Sequence, residues 1–314
     1  MEPDRWEPLV YQASLAPSSH NTQPWRFVIR GGRLQIHTDR TRALPVNDPD
    51  DRELTISCAA ALFNLLAAAA AADLRATAEV AGDPTAGLIA TVACEPGAPL
   101  LPVALAGAIS LRYTVREPFA TGSLEPELLE HLAGAAAAEG ASLHWLDGRA
   151  TREQVADLVA EGDRIQFADR RWRRELAAWM HPGRDDDGLP LEHFGGAVRF
   201  VLSRFNVGGS TAGKDEVFAL RAPALAVLTT PADDAPAWIA AGRALERVLL
   251  TAAAAGIQAG YLNQPCQIQD LRRRLQVLAG IEGFPQIVLR LGRHPGPPPQ
   301  RRRRPIGEIL TLAG

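Results

Sequence analysis

Ala16-Pro17-Ser18-Ser19-His20-Asn21-Thr22-Gln23-Pro24-Trp25-Arg26-Phe27 is the stretch from which the rest of the chain is best read. Pro17 and Pro24 bracket it. Each fixes its own φ and pushes the residue before it toward extended geometry. Between them stand hydroxyls, an imidazole and two carboxamides. Trp25 then leads into Phe27-Val28-Ile29, a short strand signal. The polar cluster therefore sits on a stiff turn between a helix and a strand, a common position for binding groups. Its donors and acceptors suit the edge of a planar heterocycle better than a phosphate, which calls for glycine and cations. A plain hydrogen-bonded turn with Trp25 plugging the core is the competing reading, and these residues alone leave both open.

Composition narrows the function classes. The chain has 314 residues, enough for two domains or one large one, and is 46% hydrophobic and 22% charged, which allows a sizeable core. A net charge of −3 gives no global basic field for nucleic acid or a membrane surface. Lys214 is the only lysine, so a cation in a binding site is expected to be arginine, always charged and fork-shaped. Cys58, Cys94 and Cys266 are widely spaced and in no CxxC pattern. They argue against a disulfide framework or a zinc site and for a reducing, cytoplasmic setting. The N-terminus has no apolar signal region. The alanine-rich run 59–72, interrupted by Asn64, reads as a buried helix rather than a bilayer span.

Apolar spacing predicts a helix over 6–15 that feeds the opening turn. Residues 27–29 and 34–37, joined by Arg30-Gly31-Gly32-Arg33, predict a β-hairpin. Long, alanine-rich helices are predicted over 53–73 and 236–256, and further helices over 126–139, 152–180 and 269–279. Strands are predicted over 88–94, 142–146, 224–229 and 286–291. The glycine-rich segment 181–219 reads as long and irregular, either a lid or a disordered insertion. Each half carries one alanine-rich helix followed by a strand that ends near a Gly/Pro break, a sign of duplication.

Three further stretches carry candidate chemistry. Arg112-Tyr113-Thr114-Val115-Arg116 places two guanidinium groups about a hydroxyl, a set able to grip a phosphate. Arg290-Leu291-Gly292-Arg293 closes the last predicted strand, with glycine allowing close approach of a ligand. Ala259-Gly260-Tyr261-Leu262-Asn263-Gln264-Pro265 offers backbone N–H groups and two carboxamides. A solvated basic turn and an exposed strand end are the plainer readings of the first two. Gly208–Lys214 fits G-x-x-x-x-G-K, but Asp215 and Glu216 follow where a phosphate loop needs a hydroxyl. No HExxH metal spacing, G-x-S-x-G elbow or strand-borne GxGxxG is present. Arg301–Arg304 reads as a solvated tail.

Together these stretches resemble the nitroreductase family of FMN-dependent oxidoreductases. Pro17-Ser18-Ser19-His20-Asn21-Thr22-Gln23-Pro24-Trp25 resembles that family's turn beside the isoalloxazine ring. Arg112-Tyr113-Thr114-Val115-Arg116 resembles its Arg-x-Ser-x-Arg phosphate motif, with Thr114 keeping the hydroxyl. In the family the phosphate motif precedes the turn and two copies pair. Here the turn lies in the first half and the phosphate motif in the second. That order, with Arg52-Glu53-Leu54-Thr55-Ile56-Ser57-Cys58, resembles the fused, Acg-type subgroup of actinobacterial nitroreductase-like proteins.

The resemblance implies an α+β nitroreductase fold of two fused pseudo-symmetric units, each an antiparallel or mixed sheet flanked by helices. The units would be 1–102 and 103–314, the second including the lid, and one chain would mimic a homodimer as a monomer. It implies FMN held by Pro17, Ser18, Ser19, Asn21, Arg112, Thr114, Arg116, Asn263, Gln264, Arg290 and Arg293. Gln264 stands where many relatives have glycine. The lysine often placed near the flavin has no counterpart here, and Arg26 is the candidate substitute. Two functions follow. One is hydride transfer from NAD(P)H through FMN to a nitro compound or quinone, with neither nucleic acid nor membrane as partner. The other is an FMN-retaining protein whose lid and Gln264 leave little turnover.

Overall fold

The same strand plan occurs twice. The fold is known from a computed structural model that describes residues 1–81, 87–180, 185–189 and 208–313. In the first half, α1 (Glu7–Ser14) leads through the opening turn into the hairpin of β1 (Trp25–Arg30) and β2 (Arg33–Thr38). The long helix α2 (Arg52–Ala71) follows, then β3 (Leu74–Val80) and β4 (Leu88–Pro96). The second half begins with α3 (Ala104–Ile109), α4 (Pro126–Ala137) and β5 (Ser142–Trp145). Next come α5 (Arg149–Ala168), α6 (Arg170–Ala178), α7 (Gly208–Arg221) and β6 (Ala224–Thr230). Its long helix α8 (Ala235–Ala254) leads to β7 (Gln258–Tyr261), α9 (Gln264–Gln267), α10 (Gln269–Leu278) and β8 (Phe284–Gly292). The chain closes with α11 (Ile306–Ile309) and β9 (Leu310–Leu312).

The strand orders are β1-β2-β4-β3 and β5-β6-β8-β7, antiparallel throughout, with the long helix after the second strand in each. The two units are therefore pseudo-symmetric. They differ in their connections: β1 reaches β2 through Gly31 and Gly32, both at positive φ, whereas the path from β5 to β6 carries α5, α6 and α7, and α9 and α10 lie between β7 and β8 where β3 leads to β4 with no helix among the described residues. The β5–β6 excursion covers the candidate site. β9 pairs in parallel with β1, so the chain's last strand lies in the first sheet although it follows the second in sequence.

Patterning explains the layers. In β1, Trp25, Phe27 and Ile29 are buried while Arg26 and Arg30 are exposed, the alternation of a sheet with one covered face. All of β6 is buried. α2 is buried along almost its whole length and packs against α8 at the centre. It is long and apolar enough to cross a membrane, yet its apolar surface is spent inside the protein. Small side chains permit the close crossing. A Cβ on Gly242 of α8 would lie 2.2 Å from the Ile56 carbonyl oxygen and 2.6 Å from the Ala59 Cβ. Gly242→Ala must push the helices apart, so it is expected to lower stability by about 1–3 kcal/mol in a urea melt.

Several expectations change here. β3, β7, α11 and β9 were not foreseen. Within segment 181–219, expected to be irregular, the helix α7 begins at 208 and runs to 221. Its early glycines weaken the helix signal, and burial of Phe218 and Ala219 overrides that weakness. Residues 181–184 and 190–207, the rest of the expected lid, lie outside the described residues. Arg26 points away from the interior, because its neighbours Trp25 and Phe27 point in.

Candidate functional site

The opening turn is strained. His20, Asn21 and Gln23 have φ of 50°, 54° and 50°, and none is glycine. Such conformations cost about 1–3 kcal/mol each and persist only where the surroundings impose them. Ser18 Oγ accepts from the Gln23 backbone N–H at 2.9 Å. Gln23, fully buried, donates from Nε2 to the Asp186 carbonyl at 2.8 Å and accepts at Oε1 from the Arg304 N–H at 2.9 Å. Asn21 Nδ2 donates to the carbonyls of Gly188 and Arg302.

The C-terminal arginines are part of this clamp and not a solvated tail. Arg303 donates to Asn21 Oδ1 at 3.1 Å, and to the carbonyls of Leu15 and Ala16 at the end of α1. Arg301 donates to the carbonyls of Ile109 and Ser110 at the end of α3, and to that of Arg112. Helix C-termini leave carbonyls without intrahelical partners, and arginine satisfies them.

Above the turn lies a cavity of about 590 Å³. Pro17 to His20 and residues of α2 (Glu53, Ile56 and Ser57) form one wall. Thr114 to Arg116, Tyr261, Asn263, Gln264, Gln267, Ile287 and Arg290 form the opposite side. Phe167, Trp172, Leu176, Met180, Leu189 and Phe218, from the β5–β6 excursion, supply an apolar cover. The cavity shares Pro17, Ser18, Thr114, Val115 and Arg116 with a recess of about 290 Å³. That recess is lined also by Asn21, Arg112, Arg301, Arg302 and Arg303.

Positive charge is crowded at the recess. Burial pushes the Arg303 guanidinium down to about 9, and Arg112 and Arg301 push it further the same way. Arg112 donates to the Leu15 carbonyl at 2.6 Å and pairs at 3.5 Å with Glu246, which is fully buried on α8. Burial pushes Glu246 up to about 7 against the pull of Arg112. Arg116, at the junction of cavity and recess, has no hydrogen-bond or ion-pair partner among the described residues. Burial, and then Arg116, bring the His20 imidazole down to about 4, so it is neutral at physiological pH.

No family model matches the chain. It is 30% identical over 307 residues to the Mycobacterium tuberculosis protein named putative NAD(P)H nitroreductase Rv3131, covering 95% of this chain and 88% of that one. The chain belongs to the nitroreductase family. A second M. tuberculosis nitroreductase of the same designation, acg, is 29% identical over 96% of this chain and 94% of its own. Among solved structures, a BluB-like flavoprotein from Clostridium difficile 630 matches with a TM-score of 0.45 and 16% identity, over 67% of this chain and 99% of its own. A nitroreductase with bound FMN from Desulfitobacterium hafniense matches with a TM-score of 0.42 and 13% identity, over 68% and 100%. Likenesses that distant say nothing about individual side chains.

The residues that resemble nitroreductase motifs do not all converge in this chain. Pro17, Ser18, Ser19, Thr114, Arg116, Asn263, Gln264 and Arg290 line the cavity, whereas Asn21 and Arg112 line the recess. Several are already engaged. Ser19 Oγ donates to Glu53 Oε2 at 2.6 Å, and Asn263 Oδ1 accepts from the Val288 N–H. Arg290 donates to the carbonyls of Val115 and Glu117 and lies between the rings of Phe119 and Phe218. A Cβ on Gly260 would sit 2.6 Å from the Val115 carbonyl oxygen and 2.7 Å from Arg290 Nε, so only glycine admits this packing. Arg293 is exposed and lines neither space.

The sequence reading missed His20, Glu53, Asp163, Asp215, Gln267 and the tail arginines as lining groups. His20 stood inside the quoted turn. The others are separated from it by folding alone, and no local signal marks them.

Proposed function

We propose that the cavity and its recess hold one FMN, ring in the cavity and phosphate in the recess, and that the protein is an FMN-dependent oxidoreductase. Hydride would pass from NAD(P)H to a nitro compound or quinone. The observation that carries this reading is the junction itself: an apolar space opens onto a crowd of arginines, and Arg116 stands there without a partner in the described protein. An elongated ligand with a flat head and an anionic tail suits that shape. The cavity volume also falls within the ~300–1,000 Å³ common for cofactor sites. The names of two relatives, both putative NAD(P)H nitroreductases, point the same way.

When bound, the flavin supplies a carrier of two electrons and a hydride. The chain's residues hold and shield it. Arg116 and the Thr114 hydroxyl would take the phosphate by charge-assisted and neutral hydrogen bonds. The strained turn, fixed by Gln23 and Arg303, would present Ser18 and neutral His20 at one edge of the ring. The apolar side chains of Phe167, Trp172, Leu176, Met180, Leu189 and Phe218 would exclude water and raise the strength of every polar contact inside.

The same apolar cover favours a second reading, retention of the flavin with little turnover. Anaerobic addition of NADPH or NADH separates the two by absorbance at about 450 nm, the flavin band. Bleaching within seconds is expected. Bleaching by dithionite but by neither nicotinamide would overturn the enzyme reading and leave retention.

A further inference from the structure

A buried carboxylate holds the hydroxyl of Ser19. Ser19 Oγ donates to Glu53 Oε2 at 2.6 Å, the one hydrogen bond of that hydroxyl among the described residues. Glu53 is 2% exposed and stands in the first turn of α2. The backbone N–H groups of Glu53 and Leu54 donate to the Asp48 carboxylate, which fixes this end of the helix. Burying a carboxylate is costly unless donors surround it. Here Gln267 Nε2 donates to both oxygens, at 3.0 and 3.1 Å, and Arg52 donates to Oε1 at 3.4 Å. The Gln267 amide is itself held, because its Oε1 accepts from Gln166 Nε2 at 2.7 Å. Arg52 is anchored on the carbonyls of Gln286 and Cys266. The first unit thus supplies Ser19 and Glu53, and the second supplies the residues that hold them in place.

A hydroxyl has one proton to give and lone pairs that accept. Every contact to the Glu53 oxygens is a donor, so this carboxylate takes the Ser19 proton and returns none. What Ser19 can offer the cavity is therefore acceptance alone. Ser18 is set the other way. Its Oγ accepts from the Gln23 N–H at 2.9 Å, and its own proton has no acceptor among the described residues. The turn therefore presents a donor beside an acceptor. Ser18 lines both the cavity and the recess, whereas Ser19 lines the cavity alone, so the acceptor lies on the ring's side of the site.

We propose that Glu53 is a positioning residue that sets the hydrogen-bond polarity of the site: by taking the Ser19 proton it makes Ser19 the acceptor for the N3–H of the bound flavin. The proposal rests on the FMN reading above. An oxidised flavin ring carries a single N–H, at N3, with a carbonyl group on either side. The other polar atoms of its edge accept. A donor beside an acceptor therefore matches this imide edge, with the Ser18 O–H toward a carbonyl oxygen and Ser19 Oγ toward N3–H. A flat molecule of the same shape without that N–H leaves Ser19 Oγ unpaired in a closed site, which costs affinity. Selection for the imide N–H is thus made by a residue of α2 that need not touch the ring.

Fluorescence titration of the full chain with FMN and with 3-methyl-FMN, in which a methyl group replaces the N3 hydrogen, tests this. The wild type should bind FMN about tenfold or more tightly than the methylated flavin. Glu53→Gln keeps the shape of the side chain. Arg52 and Gln267 claim the oxygen of the new amide, so its N–H groups face Ser19 Oγ and the serine proton turns into the cavity. The preference for FMN should then fall toward unity. The bulk of the methyl group is the same against both proteins, so rejection by size alone would leave the ratio as it was. Ser19→Ala removes the acceptor without touching the bonds from Gln267 and Arg52 to Glu53, and it should lower the ratio likewise even if Glu53→Gln does not fold. A wild-type ratio near one, an unchanged ratio in folded Glu53→Gln, or an unchanged ratio in Ser19→Ala would each overturn the proposal and leave the FMN reading standing. Failure of the wild-type chain to bind FMN would overturn both.

Discussion

Arg112→Ala is expected to destabilise the protein by about 3–5 kcal/mol at pH 8, the usual cost of stranding one partner of a buried ion pair. Arg112 is 4% exposed and Glu246 is fully buried, 3.5 Å away. Among the described residues neither carboxylate oxygen of Glu246 has a donor in good hydrogen-bond geometry, and Asn64 adds to the pull of Arg112 on the charged form. Without the guanidinium, the carboxylate must stay charged in an apolar site or take a proton at a cost. The Leu15 carbonyl loses a donor at the same time. The sign with pH follows from Glu246, whose pKa is already pushed up to about 7. Below that value the group is protonated in the folded wild type too, so the missing attraction matters less. The deficit should therefore be smaller at pH 5.5 than at pH 8. Urea melts at the two pH values check this, and a deficit under about 1 kcal/mol at pH 8 would show that the pair carries little.

Arg116→Ala should behave in the opposite way. Its guanidinium has no described protein partner to strand, so the denaturation midpoint should stay put. FMN affinity should fall by about 1.5–3 kcal/mol, the worth of a charge-assisted phosphate contact, which is roughly tenfold to a hundredfold. Arg116→Lys should give an intermediate loss, because the charge survives and the fork does not. The contrast matters because both arginines belong to one sequence motif. Folding buries Arg112 against Glu246 and leaves Arg116 lining both the cavity and the recess. Flavin fluorescence titration reads the affinity, and an unchanged value in Arg116→Ala would remove Arg116 from the phosphate site.

Local signals made much of this legible. The hairpin at Gly31-Gly32, the two alanine-rich helices and the proline-bracketed turn all show in short windows of sequence. So do Thr114, Arg116, Asn263 and Gln264, which folding brings to one cavity. What stayed hidden depends on contacts between distant segments. Arg303 holds Asn21, and β9 pairs with β1, across most of the chain. A run of four arginines reads as solvated until the helix ends that it caps are in place. Arg290 and Arg293 looked alike, yet residues three apart near a strand end point to opposite faces, and only Arg290 is buried. Asp163 and Asp215 lie on helices whose facing surfaces are set by packing on Gln264, which no periodicity declares. The strain at His20, Asn21 and Gln23 was equally unreadable, since none of these residues is glycine.

The central claim is that two pseudo-symmetric units in one chain make a single flavin site. Titration of the purified chain with FMN, read by flavin fluorescence, tests it most directly. The account predicts saturation at one FMN per chain, lost selectively in Arg116→Ala. Two FMN per chain, or no binding at all, would contradict it.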